Sequence, residues 1–378
     1  MSKEILIIAG EVSGDMHGAE LIKKLKLLDP GIRVSGVGGD LMTAAGMEAF
    51  YHIKDFSFLG ITEVLKHLPF IFKVQRELLA KIKERKIKTV VLIDYPGFNL
   101  NFAKKLKKRN IKVLYYISPQ LWAWGKQRVK KMKKLIDRLF VVFPFEVDFF
   151  KSHGIKAEFV GHPLMERIDN YKFLSREEFF KENSLEPDKE ILLIMPGSRE
   201  HEVKLMLPEL TKAGKNLSEE FNLQVVISAT ENLSLDFYQS IVPDLEVRIV
   251  VGKNYELMKY SKFGIIKSGT STLEAGLFNL PFIVVYKTSR LTYLIAKKLV
   301  SLHSLSLVNI VTDKKIVEEL IQDEVNAEKI HAVVANYLRD DEKIFKLKEE
   351  LKSVKKTLGE NESKVDLAAN ILSEINAA

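Results

Sequence analysis

Short apolar runs alternate with amphipathic segments along most of this chain, and this alternation constrains the fold more than any other feature. In the first half the apolar runs are EILIIA, RVSGVG, TVVLID, KVLYYI, RLFVVF and AEFVG. Helical patterns lie between them, among them GAELIKKLKLL, PFIFKVQRELLAKIKER and LNFAKKLKKR. Strands that alternate with helices form a parallel sheet with helices on both faces. The first half is therefore predicted to be an α/β domain with a doubly wound sheet.

A second alternation follows the polar stretch at residues 171–190, which is typical of a linker with a short helix. Its apolar runs are ILLIM, QVVISAT, VRIVVG, FGIIKSG and PFIVVY. A chain of 378 residues is also long for a single core. We predict two tandem Rossmann-like α/β domains, residues 1–165 and 166–340. We expect helices in residues 341–378 to cross back onto the first domain or onto a second subunit.

Positive charge is concentrated in the first half of the chain. Residues 1–165 carry 29 Lys and Arg against 16 Asp and Glu, whereas the remainder carries 29 against 34. This asymmetry favours an anionic partner for the first half: a phosphorylated lipid, a membrane surface or a nucleic acid. Ordinary solvated lysines on helix faces are the plainer explanation.

The composition also narrows the cellular setting. The chain has no cysteine, which excludes disulfides and thiolate zinc sites. No apolar run approaches the length of roughly 18 residues that spans a bilayer, and MSKEILIIAG does not have the pattern of a signal peptide. We expect a cytoplasmic protein.

The stretch GEVSGDMHG, at residues 10–18, directly follows the first predicted strand. Ligands of open α/β sheets bind beyond the carboxyl ends of the strands, where glycine lets them approach the backbone. The glycine spacing is not the GxGxxG of dinucleotide-binding proteins, and a tight turn alone would explain only one of the three glycines. We predict a ligand-facing loop that holds sugar or phosphate. Its candidate substrate-binding and catalytic residues are Glu11, Ser13, Asp15 and His17.

The stretch IDYPGFN, at residues 93–99, ends another predicted strand. The carboxylate of Asp94 would stand at the ligand-binding edge, where it could accept a proton as a general base. An N-cap for the next helix is the alternative role, but Asn99 could cap instead or contact substrate. Tyr95 precedes a proline, so we expect it to be extended.

Two loops of the second half have the composition of phosphate sites. MPGSRE contributes Ser198 and Arg199, and KSGTSTLEAG places hydroxyl groups at a helix start. A capping box formed by Ser271 and Glu274 is the structural alternative. We predict a nucleotide diphosphate site, with Glu274 on the ribose and with Gly269, Thr270, Ser271 and Thr272 on the phosphates. The chain has no DxD pair and no metal-type spacing of His, Asp or Glu, so we expect no metal.

Residues 56–81 combine apolar and basic side chains in a way that suits a membrane interface. The predicted membrane contacts are Leu65, Lys66, Leu68, Phe70, Phe72, Lys73 and Arg76. A buried helix pair is the alternative. Trp122 and Trp124, followed by a basic run, suit nucleic-acid stacking, a lipid interface or, for one of them, the core.

These stretches together resemble the lipid-A-disaccharide synthase family of inverting glycosyltransferases, which have two Rossmann-like domains of the GT-B type. The resemblance covers essentially the whole chain, and Val308 departs from it where the family often has proline. The matching stretches, in the order of the family, are AGEVSGDMHG, GVGGDLMTAAG, LGITEVL, IDYPGFN, YYISPQLWAWGKQR, PFE, FVGHPL, MPGSREHEV, SGTSTLEAG, YKTSRLTYLIAKKLV and SLVNI.

The resemblance implies a reaction and a set of roles. The donor would be UDP-2,3-diacylglucosamine, the acceptor 2,3-diacylglucosamine 1-phosphate, and the products the β-1,6-linked disaccharide 1-phosphate and UDP. Asp94 would take the proton of the acceptor's 6-hydroxyl, with His17 as the alternative base, and Arg199 and the helix ends would stabilise departing UDP. No cofactor is implied, and the expected location is peripheral, on the inner membrane of a Gram-negative cell. A homodimer is left open.

Two other kinds of function compete with this interpretation. One is another UDP-sugar GT-B enzyme, such as a UDP-GlcNAc 2-epimerase, that uses the same nucleotide site. The other is a protein that only binds a membrane surface or a nucleic acid, for which the basic first half is the support. The two phosphate-type loops argue against a protein without enzymatic activity, and we expect no nucleic-acid partner.

Overall fold

The computed structural model describes residues 3–56, 68–119, 121–122, 129–242, 247–289, 293, 304–360 and 362–377. The chain divides into two compact units. The first comprises residues 1–166 and 361–378, and the second comprises residues 167–360.

The first unit contains a seven-stranded parallel sheet with the order β3-β2-β1-β4-β5-β6-β7. Its strands are β1 (Glu4–Ala9), β2 (Arg33–Gly38), β3 (Glu48–His52), β4 (Thr89–Ile93), β5 (Lys112–Tyr116), β6 (Arg138–Val141) and β7 (Ala157–Phe159). Its helices are α1 (Val12–Leu28), α2 (Asp40–Ala44), α3 (Leu68–Glu84), α4 (Pro96–Lys107), α5 (Val129–Leu135) and α6 (Pro144–Ser152). Helix α7 (Pro163–Asp169) contains the boundary between the units.

The central strands of this sheet are buried on both faces, which is why they are uniformly apolar rather than alternating. All five residues from Ile5 to Ala9 are buried, as are all five of β4. Strands β1 and β4 are neighbours, with Ala9 aligned with Ile93. The strand order reverses between them, so this edge is the point where a ligand site is expected.

The second unit also contains a parallel sheet, with six strands in the order β10-β9-β8-β11-β12-β13. Its strands are β8 (Glu190–Met195), β9 (Leu223–Ala229), β10 (Arg248–Val251), β11 (Ser261–Lys267), β12 (Phe282–Tyr286) and β13 (Glu319–Ile321). Its helices are α8 (Arg176–Glu182), α9 (Glu200–Phe221), α10 (Leu235–Ile241), α11 (Asn254–Tyr260), α12 (Thr270–Leu277), α13 (Leu307–Thr312), α14 (Ala327–Leu338) and α15 (Asp341–Thr357). Here the order reverses between β8 and β11, where Met195 is aligned with Ile266.

Helix α15 lies in the second unit, whereas we expected residues 341–378 as a whole to pack on the first domain or on a second subunit. Its apolar stripe of Leu347, Leu351 and Val354 is buried. Val354 packs against Gly276 of α12, where an added Cβ would lie 3.1 Å from it. Burial of this stripe holds α15 on the second unit.

Only the last helix, α16 (Leu367–Asn376), returns to the first unit, as the predicted crossing back requires. Glu374 lies 2.7 Å from the guanidinium of Arg138 and 2.8 Å from the ammonium of Lys112. Asn370 accepts a further hydrogen bond from Arg138, at 2.7 Å. Buried Ile371 adds apolar packing. In this chain the C-terminal helix therefore packs on the chain's own first unit.

Candidate active site

Asp94 directly follows β4, as the sequence predicted, and β4 lies at the reversal point of the first sheet. Its backbone is fixed on both sides. The N–H donates to the carbonyl of Tyr116 at 3.0 Å, and the carbonyl accepts from the hydroxyl of Tyr115 at 2.5 Å and the amide of Asn99 at 2.8 Å. The carboxylate of Asp94 thus projects from a backbone that cannot easily shift.

The backbone at Asp94 and Tyr95 is left-handed, with φ of 44° and 45°. We expected Tyr95 to be extended because it precedes Pro96, and this prediction is wrong. Two consecutive non-glycine residues in this region carry strain of about 1–3 kcal/mol each, which is typical of functional sites. Tyr95, not Asp94, occupies the N-cap position of α4, and its side chain makes no capping hydrogen bond. The capping role considered for Asp94 is therefore not observed.

The surroundings of Asp94 suit proton transfer. Burial and the nearby negative charge of Glu11, opposed by a hydrogen bond from the N–H of Tyr95, together raise the pKa of Asp94 to about 6. A base is most effective when its pKa lies near the operating pH. The geometry and the pKa both fit a general base.

The stretch GEVSGDMHG is mostly the start of a helix rather than the loop that we predicted, because α1 already begins at Val12. Its glycines have packing roles. An added Cβ would lie 2.1 Å from the ring of Tyr95 at Gly10, 3.2 Å from Ala9 at Gly14 and 2.5 Å from the sulfur of Met42 at Gly18. The glycines let α1 lie close to its neighbours.

Glu11 and Ser13 are exposed at the start of α1, where they can meet a ligand. His17 is half-buried on the same helix, with its ring edge-on to Tyr116 at a centroid distance of 6.4 Å. The roles of these three residues toward substrate stay predictions.

Asp15 and Asn99 have supporting roles in place of the substrate contacts that we predicted. Asp15 is only 3% exposed, and its carboxylate accepts from the backbone N–H groups of Gly39, Leu41 and Met42 at 2.6–3.1 Å. It therefore caps α2. Asn99 is fully buried, and its amide donates to the carbonyls of Ile93 and Asp94. It fixes the end of β4.

Glu146 is a buried carboxylate at the same edge of the sheet that the sequence analysis did not single out. It accepts from the hydroxyl of Ser118, the indole N–H of Trp122 and the backbone N–H groups of Val142 and Phe143. Burial raises its pKa to about 7, against the lowering effect of these donors. Its position two residues after Pro144, at the start of α6, was the available sequence signal. Trp122 has a packing role here, and Trp124 lies outside the described residues.

The second unit has a pocket of about 340 Å³ at the reversal point of its sheet. Residues that end or follow β8, β9 and β11 line it, together with the starts of three helices. The lining residues are Met195, Gly197, Ser198, Arg199, Glu202, Ser228, Thr230, Asn254, Lys267, Ser268, Gly269, Thr270 and Ser271.

Five of the seven predicted nucleotide contacts line this pocket, and two do not. Thr272 is fully buried, and its hydroxyl donates a hydrogen bond to the carbonyl of Gly269 at 2.8 Å. Glu274 lies inside α12, where burial raises its pKa, nearby Arg167 opposes this, and the hydroxyl of Tyr255 lies 3.4 Å away. The N-cap of α12 is Gly269, which has no side chain to cap with, so the alternative capping box of Ser271 and Glu274 is not observed.

Lys267 and Glu202 are the pocket residues whose chemistry the sequence analysis missed. They form an ion pair of 2.9 Å. Lys267 is the last residue of β11, so the rule that found Asp94 at the end of β4 could also have found it. Within the described ranges, no group of three His, Asp or Glu residues could hold a metal ion.

The predicted membrane segment is described only in part, because Leu65 and Lys66 lie outside the described residues. Leu68 and Phe70 are half-buried, and Phe70 packs against the core of the first unit. Phe72 is 56% exposed, and Lys73 and Arg76 are exposed beside it. In the part of the chain that the structure describes, no helix has the length and hydrophobicity needed to span a bilayer.

The fold is that of GT-B glycosyltransferases and related nucleotide-sugar enzymes. The structure resembles a UDP-GlcNAc 2-epimerase from Neisseria meningitidis bound to UDP-GlcNAc, with a TM-score of 0.62, 14% identity and 99% of each chain covered. It resembles the glycotransferase of kitacinnamycin equally, with a TM-score of 0.62, 13% identity and 99% of each chain covered. At these identities the likeness concerns the fold alone.

The sequence identifies the family within this class. The family model described as lipid-A-disaccharide synthetase matches residues 5–375. The lipid-A-disaccharide synthase of Geobacter metallireducens is 38% identical over 361 residues, which are 95% of this chain and 94% of the relative. That of Trichlorobacter lovleyi is 37% identical over 376 residues, 99% and 98% of the two chains. The chain belongs to the lipid-A-disaccharide synthase family and is a glycosyltransferase, as the motifs predicted.

Proposed function

We propose that this enzyme joins UDP-2,3-diacylglucosamine to 2,3-diacylglucosamine 1-phosphate, giving the β-1,6-linked disaccharide 1-phosphate and UDP. The observation that carries the proposal is the carboxylate of Asp94. It stands at the reversal point of the first sheet with a pKa of about 6, in a chain that belongs to this family over nearly its whole length.

Asp94 is the general base of this proposal. Its carboxylate accepts the proton of the acceptor's 6-hydroxyl while that oxygen forms a bond to the anomeric carbon of the donor. The bond from the anomeric carbon to UDP breaks in the same step, so the configuration inverts and UDP leaves with the electron pair. Glu11, Ser13 and His17 contact the sugar or its phosphate, and His17 is the alternative base.

The pocket of the second unit binds the nucleotide. Ser198, Arg199 and residues 269–271 line it, and α12 begins there with backbone N–H groups that favour a phosphate. These groups stabilise the negative charge that develops on departing UDP. Glu274 remains the candidate for binding the ribose. Thr272 supports the loop through the hydrogen bond from its hydroxyl to the carbonyl of Gly269.

The enzyme acts at the inner membrane surface without crossing it. Exposed Phe72, Lys73 and Arg76 on α3 present an apolar ring and two cations. In the sequence, Leu65, Lys66, Leu68 and Phe70 precede them. Cationic side chains near a surface attract anionic lipids. The reaction needs no cofactor, and a homodimer is compatible with it.

Incubation of the purified protein with both lipid substrates tests the proposal, with product detection by mass spectrometry. The disaccharide 1-phosphate and UDP should form in equal amounts only when donor and acceptor are both present. EDTA should leave the rate unchanged. Formation of UDP-ManNAc from UDP-GlcNAc alone, with no disaccharide from the lipid pair, would contradict the proposal in favour of a 2-epimerase.

A further inference from the structure

We propose that Lys267 is the main cation for the diphosphate of the bound nucleotide and that Glu202 positions it. This rests on the proposed function, because it assumes that the pocket of the second unit binds UDP. It adds a residue from the end of β11 to a site that the sequence predicted from Arg199 and the loops alone.

Lys267 is held inside the pocket rather than on its rim. Its side chain is 19% exposed, and the ammonium lies 2.9 Å from Oε1 of Glu202 and 5.8 Å from the ring centre of Tyr286. The next residues along the chain, Ser268 and Gly269, lead directly into α12. A phosphate at this helix start therefore comes within reach of the Lys267 ammonium.

Arg199 is placed less favourably for the same task. Its side chain is 67% exposed, and its guanidinium lies 3.7 Å from Glu202, which is too far for a good hydrogen bond. An exposed arginine loses side-chain entropy when a ligand fixes it, whereas a residue already held in place loses little. Lys267 should contribute more to affinity for this reason.

Glu202 has the features of an anchor. Its Oε2 atom is buried and has no hydrogen-bond partner among the residues that the structure describes, and a Cβ at Gly197 would lie 2.7 Å from that atom. Gly197 has a φ of 113°, which favours glycine, and a side chain at this position would collide with the carboxylate. The Glu202 carboxylate thus lies near two cations, Lys267 and Arg199. These three pocket-lining side chains together carry a net charge of one positive unit.

Isothermal titration calorimetry of the full chain with uridine and with UDP tests the inference. Lys267→Met should weaken UDP binding about 10- to 100-fold, the range for loss of a charged hydrogen bond, and leave uridine binding within about twofold. Lys267→Arg should keep UDP affinity within about threefold. Lys204→Met is the matched control, because Lys204 also pairs with a glutamate and lies over an aromatic ring, but it is outside the pocket.

The outcomes separate this inference from the proposed function. If wild-type protein binds UDP and Lys267→Met binds it equally well, the role of Lys267 is refuted and the pocket assignment stands. Equal weakening of uridine and UDP would also refute it, because the effect would then be structural. If the wild-type protein does not bind UDP at all, the pocket assignment itself fails.

Discussion

The ring of Tyr95 occupies the space that a side chain at Gly10 would need, since a Cβ at residue 10 would lie 2.1 Å from Cδ1 of that ring. Gly10 follows β1 and Tyr95 follows the residue after β4, so the contact joins the two strands at the reversal point of the sheet. The ring also stacks on Phe98 of α4. This contact helps to hold the left-handed pair of Asp94 and Tyr95.

Gly10→Ala should therefore destabilise the protein through its clash with Tyr95. We expect a loss of about 1–3 kcal/mol in the free energy of unfolding, the usual cost of overpacking, measured by urea denaturation. Adding Tyr95→Ala should remove the clash, so that the double variant is more stable than the two single effects predict. Strict additivity would show that the two residues do not interact.

Asp15→Ala should act on stability and not on substrate binding. Three backbone N–H groups lose their acceptor, each at a cost of about 1–3 kcal/mol if water does not replace it. Glu20→Ala, an exposed change on the same helix, is the control. A variant with unchanged stability but a KM raised tenfold or more would restore the substrate contact that the sequence suggested.

Glu146 should titrate near neutral pH and report on Trp122. Its pKa in the folded protein is about 7, above the ordinary glutamate value of 4.5, so the folded state binds its proton more tightly than the unfolded state does. The stability that this group contributes is present at low pH and falls as pH rises through the interval from 4.5 to 7. In a Trp124→Phe background, tryptophan fluorescence should change near pH 7, and the added change Glu146→Gln should abolish this transition.

The fold was predictable because the central strands are buried on both faces, which makes them continuous apolar runs. All eleven runs named from the sequence are strands. Strands β3 and β13 were missed, since neither is a run of buried residues: β3 has two exposed and no buried residues among its five, and β13 has one buried residue among its three.

From the sequence, site residues could be predicted only where they lie at the end of a strand or directly after it. Asp94 and the loops at residues 197–199 and 269–271 end strands or follow them, and the sequence shows this directly. Asp15 has the residue type of a ligand contact, but the N–H groups that it caps are at least 24 residues away. Glu202 and Lys267 are likewise far apart along the chain, and only the folded sheet brings them to 2.9 Å.

Asp94 carries the central claim, and its pH dependence has two linked consequences. Its folded pKa of about 6 exceeds the ordinary aspartate value of 3.8, so the stability that it contributes falls as pH rises from 3.8 to 6. Asp94→Asn should then be more stable than wild type at pH 8 while it loses activity. Urea denaturation at pH 8 measures the first effect.

The most direct test is the pH profile of kcat/KM for disaccharide formation by wild-type protein and Asp94→Asn. The wild-type rate should rise with pH to a plateau with a midpoint near 6, because only the ionised carboxylate accepts the proton of the 6-hydroxyl. Asp94→Asn should lose about two to four powers of ten in rate and show no such rise. A variant that keeps the wild-type rate and the same midpoint would contradict the assignment of Asp94 as the base.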